Sequence, residues 1–187
     1  VAANVRRKPA TPPKANPRAK APINTPNAKL APPARALVYT PVALPREKTV
    51  AYRMAMQYPP KARAEAEGLF LELLKQYGAF ERTLRLQKGD LGGAIAAYIT
   101  ANWGSMNNVD VPDAHFLAAT NQMRAILSAN PGFQSLNNAQ RQEIYETLVI
   151  TGMFMAASHM AFTKAADAAQ SKKLRAAGRA NLEQWFP

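Results

Sequence analysis

The sequence predicts an all-α fold: a compact bundle of about five helices over residues 47–187, preceded by an extended, basic, proline-rich arm over residues 1–46. Three observations carry this reading. Apolar residues from Thr49 onward recur at spacings of three and four. Ten of the 15 prolines fall at or before Pro45. Residues 47–187 show no strand-like alternation and no internal repeat. A chain of 187 residues fits one domain with an appendage better than two domains. Its 48% apolar content is enough for a real core and excludes wholesale disorder.

Proline at this density removes backbone donors and fixes φ, so the arm is expected to form neither helix nor central strand. Interleaved Ala, Lys and Arg favour an extended, polyproline-II-like chain, with a reach on the order of 120 Å over about 40 residues. The arm holds nine Lys or Arg and no acidic residue, whereas residues 47–187 hold fifteen basic and twelve acidic. The formal charge of +12 therefore belongs largely to the arm. Its two apolar clusters, Leu37-Val38-Tyr39 and Val42-Ala43-Leu44, are suited to docking on the domain or on a partner. Deleting residues 1–45 is expected to leave the helical body nearly as stable as before.

The helices follow in order. Tyr52 to Gln57 predicts a short helix, stopped by Pro59-Pro60. A first-turn proline costs little there and opens the next helix, whose Leu69, Phe70, Leu73, Leu74, Tyr77, Phe80 and Leu84 form one broad apolar face. Glu65, Glu67, Glu72 and Lys75 fall off that face, and Gly89 reads as the stop. Asp90 is placed to cap a helix from Leu91 to about Trp103, with Ala94, Ile95, Tyr98, Ile99 and Trp103 as core candidates. A polar loop from Gly104 to Val111 leads to Pro112 and Asp113, which favour a helix start. That helix is expected to bury Phe116, Leu117, Met123, Ile126 and Leu127 before Asn130-Pro131-Gly132.

The clearest start signal is Asn137 with Gln140 three residues on, a capping box. The helix it opens runs through Ile144, Leu148, Phe154 and Met155 to about Phe162. Its Gly152, Ala156, Ala157 and Ala161 are small enough for a neighbouring helix to approach closely. A final amphipathic helix, about Ala165 to Trp185, carries Lys172, Lys173, Arg175 and Arg179. The uncharged run Thr147–Thr163 reaches the lower edge of a membrane span. Its Gly, Ala, Thr and His content reads instead as a buried core helix, so no membrane span is expected.

The chemistry-bearing residues do not assemble into a catalytic set. His115 and His159 are the only histidines, and Ser158 beside His159 points about 100° away on a helix. Glu143 and Glu146 lie three apart, but neither histidine follows an acidic residue at the Glu-x-x-His spacing of a carboxylate-bridged metal site. Gly89-Asp90-Leu91-Gly92-Gly93 lacks the spacing and the Lys of a phosphate-binding loop and follows a helix. Absence of cysteine excludes disulfides and thiolate metal sites. Met153, Met155 and Met160 with Phe154 and Phe162 read as core before they read as a plastic groove. The sequence thus predicts no catalytic residue, no metal and no cofactor.

Gln122 to Arg124, Ser135 to Gln142 and the small, Met-rich helix resemble an uncharacterised family of exported bacterial all-helical domains over roughly residues 50–187. The resemblance implies a helical, exported bacterial protein and assigns no site residue. Val1 in place of an initiator Met fits signal-peptide removal, hence a periplasmic or extracellular location, or an incomplete sequence.

The resulting expectation is a non-catalytic structural or accessory subunit of an exported assembly, oligomeric, with the arm lying along partner subunits. Arg6, Arg7, Lys8, Lys14, Arg18 and Lys20, with Leu37, Tyr39 and Leu44, are its predicted partner-binding residues. The alternative is a nucleic-acid- or virion-associated protein whose arm binds phosphates by counterion release. Without interleaved aromatics such binding would carry little sequence specificity. A third reading is a small-ligand or hydrolytic enzyme with its site between helices.

Overall fold

A computed structural model describes residues 35–184. The described chain is all-α, with an isolated antiparallel bridge between Val38 and Asp90 as its only β pairing. The helices are α1 (Val50–Ala55), α2 (Arg63–Thr83), α3 (Leu91–Asn107), α4 (Asp113–Ala129), α5 (Pro131–Gln134), α6 (Asn138–Lys164) and α7 (Ala168–Glu183). Five of these are long, in agreement with the expected bundle, and α1 and α5 are single turns or little more.

Helix α3 is the hub. It packs against α4, α6 and α7, and its buried residues point in every direction: Leu91, Ala94, Ala96, Ala97, Tyr98, Asn102 and Ser105. A helix apolar or small on all sides belongs in the interior. Two glycines bring its neighbours to backbone contact. A Cβ added at Gly152 of α6 would lie 3.0 Å from the Ala97 carbonyl, and one at Gly178 of α7 would lie 2.7 Å from the Asn102 carbonyl. The close approach expected at Gly152 is therefore present, and Gly178 repeats it on the other side. A second, smaller core joins α1, α2 and α6 through Val50, Ala55, Phe70, Leu73 and Ile150.

Local signals place the ends of these helices. Asp90 accepts from the Gly92 N–H at 2.9 Å, and the Asn137–Gln140 capping box is reciprocal, with both bonds at 2.9 Å. Asp167, not read as a cap from the sequence, accepts from the Gln170 N–H and starts α7 three residues later than expected. Helix α2 stops at Thr83, ahead of Gly89, whose φ of 75° serves the turn into α3. Helix α3 runs past Trp103 because Gly104 does not break it. The Val109 N–H folds back onto the Gly104 carbonyl at 3.0 Å, with Asn108 left-handed at the end.

Five expected core residues are exposed: Leu69, Trp103, Ile126, Phe154 and Met160. In α2 the buried stripe is Ala66, Phe70, Leu73, Tyr77 and Glu81, and Leu69 falls on its flank. In α4 the fully buried positions are Phe116, Thr120 and Leu127, which leaves Ile126 about 100° away. Apolar runs were wider than the strip a neighbour covers. Conversely Glu67, expected on the solvent face, is buried at the edge of α2, where its carboxylate accepts from the Arg46 Nε at 2.9 Å.

The largest departure from expectation is the segment 35–46. Assigned to the arm for its prolines, it is a strap packed on the helical body. The Leu91 N–H donates to the Leu37 carbonyl at 2.9 Å, the Thr40 N–H to Asn138 Oδ1 at 3.2 Å and the Val42 N–H to Gln142 Oε1 at 2.7 Å. Leu37 is only 8% exposed within the main core, and the Tyr39 ring lies 5.1 Å from that of Tyr145. Prolines at 41 and 45 fit this role, since an extended strap held mainly by side chains has no helix to break. Truncation at residue 45 would remove part of the core, so the expectation of an unperturbed body does not survive.

Candidate functional site

Two sites converge on α3. The first is a cleft of about 330 Å³ between α3, α4 and α6, with Tyr77 and Phe80 of α2 on one wall. Small residues make up much of its wall: Ala97, Ala101 and Gly104 on α3, and Gly152 and Ala156 on α6. Phe80, Phe116 and Met153 make its apolar floor, and the Phe80 and Phe116 rings meet edge-on at 5.1 Å. Its polar groups come from the α3–α4 turn and from α6. Asp110, Asp113 and His159 all line it, and His159 Nε2 is 3.5 Å from Asp110 Oδ1. The His159 side chain is 12% exposed and that of Asp110 is 95% exposed, so the carboxylate stands in solvent over a nearly covered imidazole.

Ser105 also lines this cleft, which brings a serine, a histidine and an aspartate to one place. They do not form a relay. The Ser105 hydroxyl donates to the Met155 carbonyl at 3.4 Å, tying α3 to α6, and no hydrogen bond joins it to His159. Nucleophilic catalysis needs the hydroxyl within hydrogen-bonding reach of its base. Ser158 is outside the cleft lining, consistent with its divergence from His159 along the helix.

The second site is a buried polar knot beneath the strap, at the start of α3. Asp90 is fully buried and takes the Arg124 guanidinium on Oδ2, with Nε at 2.7 Å and Nη2 at 2.6 Å. Glu81 is buried beside it, accepting from the Gly89 N–H at 3.2 Å and from the Tyr145 hydroxyl. Burial pushes the Glu81 carboxyl above its ordinary range, with the Asp90 charge adding to the effect against the hydrogen bonds that oppose it. Burial, helped by Glu146 and Glu81, pushes the Tyr39 hydroxyl up to about 12. The hydroxyls of Tyr77 and Tyr145 are raised for the same first reason, desolvation. Tyr77 Oη and Glu81 Oε2 are buried without a hydrogen-bond partner. The knot is sealed from solvent, so its role is to fix the strap, α2, α3, α4 and α6 against one another.

The sequence-predicted residues divide cleanly. Arg6, Arg7, Lys8, Lys14, Arg18 and Lys20 lie outside the described residues, as does Trp185. Leu37 and Tyr39 are taken up by the chain's own core, and Leu44 is half-buried in a depression beside Ala139 and Gln142 of α6. Of the two dockings open to them, the one seen is on the domain. Glu143 and Glu146 go separate ways: Glu143 pairs with Arg53 at 2.6 Å and Glu146 accepts from Gln142 at 2.8 Å. Among the described residues no group of three His, Asp or Glu side chains is placed to hold a metal. No described helix is long and apolar enough to cross a membrane. The Met-rich helix turns both ways, with Met155 in the core and Met153 and Met160 on the cleft.

An all-helical domain with a strapped, polar-pinned hub and a ligand-sized cleft is the class that fold and site define. The chain belongs to a family of unknown function, DUF6683, whose sequence pattern matches residues 3–186. That match takes in the proline-rich segment as well as the helices. No curated protein and no solved structure matches the chain.

Proposed function

We propose that the protein is a non-catalytic accessory or structural subunit of an exported assembly, whose basic N-terminal arm runs along partner subunits while the helical body serves as its anchor. The observation that carries this reading is the strap. The segment next to the arm in sequence is fastened to α2, α3 and α6 by Arg46–Glu67, Leu37–Leu91, Thr40–Asn138 and Val42–Gln142. A segment so fastened suits a tether, because a pull on the arm is taken by the core and not by a loose hinge. Segregation of seven Lys and Arg, with no acidic residue, into residues 1–34 supports an acidic protein surface as the partner.

Replacing Arg6, Arg7, Lys8, Lys14, Arg18 and Lys20 together with Gln tests it. The full-length variant should keep the melting temperature of the wild type and lose association with its co-purifying subunits, measured by sedimentation at low and physiological salt. Exposed charges act over about 8 Å at physiological ionic strength, so the wild-type association should weaken as salt rises. Unchanged association would overturn the tether. Tight binding to duplex DNA, with a log–log salt slope near −0.9 for each phosphate neutralised, would favour the nucleic-acid reading instead.

A further inference from the structure

The cleft between α3, α4 and α6 is too large to be a packing defect. Its volume of about 330 Å³ is on the order of ten times the share of one water and falls at the lower end of the range for small-molecule sites. Its two ends differ in chemistry. The floor is aromatic and aliphatic, from Phe80, Phe116 and Met153, while the mouth carries the Asp110 and Asp113 carboxylates beside His159. No Lys or Arg lines it. Asp113 makes no ion pair among the described residues, and Asp110 meets only the imidazole, at 3.5 Å.

We propose that this cleft binds a small apolar molecule carrying one protonated amine, with the apolar body on the phenylalanine floor and the ammonium at the two aspartates. Net charge at the mouth decides the sign of the head group. The N-terminus of α4 opens here and by itself would attract an anion, but Asp113 already occupies that first turn. A ligand carboxylate would meet two like charges and no fixed cation, whereas an ammonium gains both carboxylates. Exposed Val109 and Met160 flank the entrance, and the unbranched methionine adapts to bodies of different shape.

Three probes of one skeleton separate these contributions: phenylbutylamine, phenylbutanol and phenylbutyrate, titrated against the full chain near neutral pH and followed by amide chemical shifts. The amine should bind most tightly and the carboxylate least, with shifts centred on the second half of α3 and on α6 around Ala156. Each exposed carboxylate pair is worth roughly a two- to fivefold gain in affinity. Asp110→Asn with Asp113→Asn should therefore bring the amine down to the level of the alcohol and leave the alcohol unchanged. Ala156→Trp should abolish all three by filling the cleft. The double Asn variant keeps the test valid if the Trp variant fails to fold, because both aspartates lie at the surface turn. Absence of saturable binding, equal affinity for amine and alcohol, preference for the carboxylate, or undiminished binding in a folded Ala156→Trp would each overturn the proposal.

Discussion

At its N-terminal end α3 meets a closed polar knot, and in its second half it lines an open apolar cleft. The difference lies in what its neighbours bring. Around Leu91 to Gly93 they bring long or aromatic side chains: Arg124 from α4, Tyr77 from α2, Tyr145 from α6 and Tyr39 from the strap. These fill the space and force two carboxylates, Glu81 and Asp90, into burial, where they are held by specific partners. Around Ala101 and Gly104 the wall across the cleft includes Ala156 of α6, a side chain too small to fill the space. One end of the hub is therefore closed by packed side chains and a buried ion pair, and the other keeps room for a ligand.

The largest effect should come from the rigid end. Asp90→Ala removes the cap of α3 and leaves the Arg124 guanidinium nearly buried without its counter-charge, a loss of about 3–5 kcal/mol by urea denaturation. The double variant Asp90→Ala/Arg124→Ala should cost less than the sum of its parts, since the stranded charge is gone. Leu37→Ala in the strap should cost about 2 kcal/mol or more, as expected for a leucine in a core; a near-neutral result would return the strap to the arm.

Next in size is the contrast between two glycines. Gly152→Leu should destabilise by about 1–3 kcal/mol through overpacking against the Ala97 backbone. Gly68 in α2 has no atom within 4 Å of an added Cβ, so Gly68→Ala should stabilise by up to about 1 kcal/mol. Equal signs for the two would dissolve the distinction between close approach and idle glycine.

The smallest effect is a slope. The folded Glu81 carboxyl holds its proton more tightly than the unfolded chain does, because burial raises it from the ordinary value of 4.5. Its contribution to stability is complete below that value and is lost as pH rises through the raised folded value. Urea midpoints of the wild type should therefore fall, relative to Glu81→Gln, from about pH 4.5 upward. Parallel profiles would mean that Glu81 titrates alike in both states.

What could be read from the sequence was local. Asn137 with Gln140, Asp90 before Leu91, and Gly152 among small neighbours each declare themselves within four residues, and each is where it was expected, although Ala157 and Ala161 face solvent. What could not be read depends on distant partners. Glu67 looks solvated until Arg46 is brought over it, and Leu37 looks like a sticky spot on an arm until the Leu91 N–H binds its carbonyl. The cleft lay between these cases. His159 and the methionines stood out one by one, but nothing along the chain announced that Asp110, Asp113 and Phe116 would close the same space.

The strap also carries a consequence in time. Its contacts join residues about a hundred positions apart: 98 for Thr40 with Asn138, 100 for Val42 with Gln142 and 103 for Val38 with Arg141. Closing so long a loop is entropically dear until α6 exists to receive it. The strap is synthesised before every described helix, so a growing chain carries Tyr39 without its α6 partners until the first turns of α6, through Tyr145, have left the ribosome's exit. In refolding the entropic cost of the same long loops is expected to place the strap after the rate-limiting step. Leu37→Ala should then speed unfolding and leave the refolding rate almost unchanged, a shift confined to one limb of the chevron.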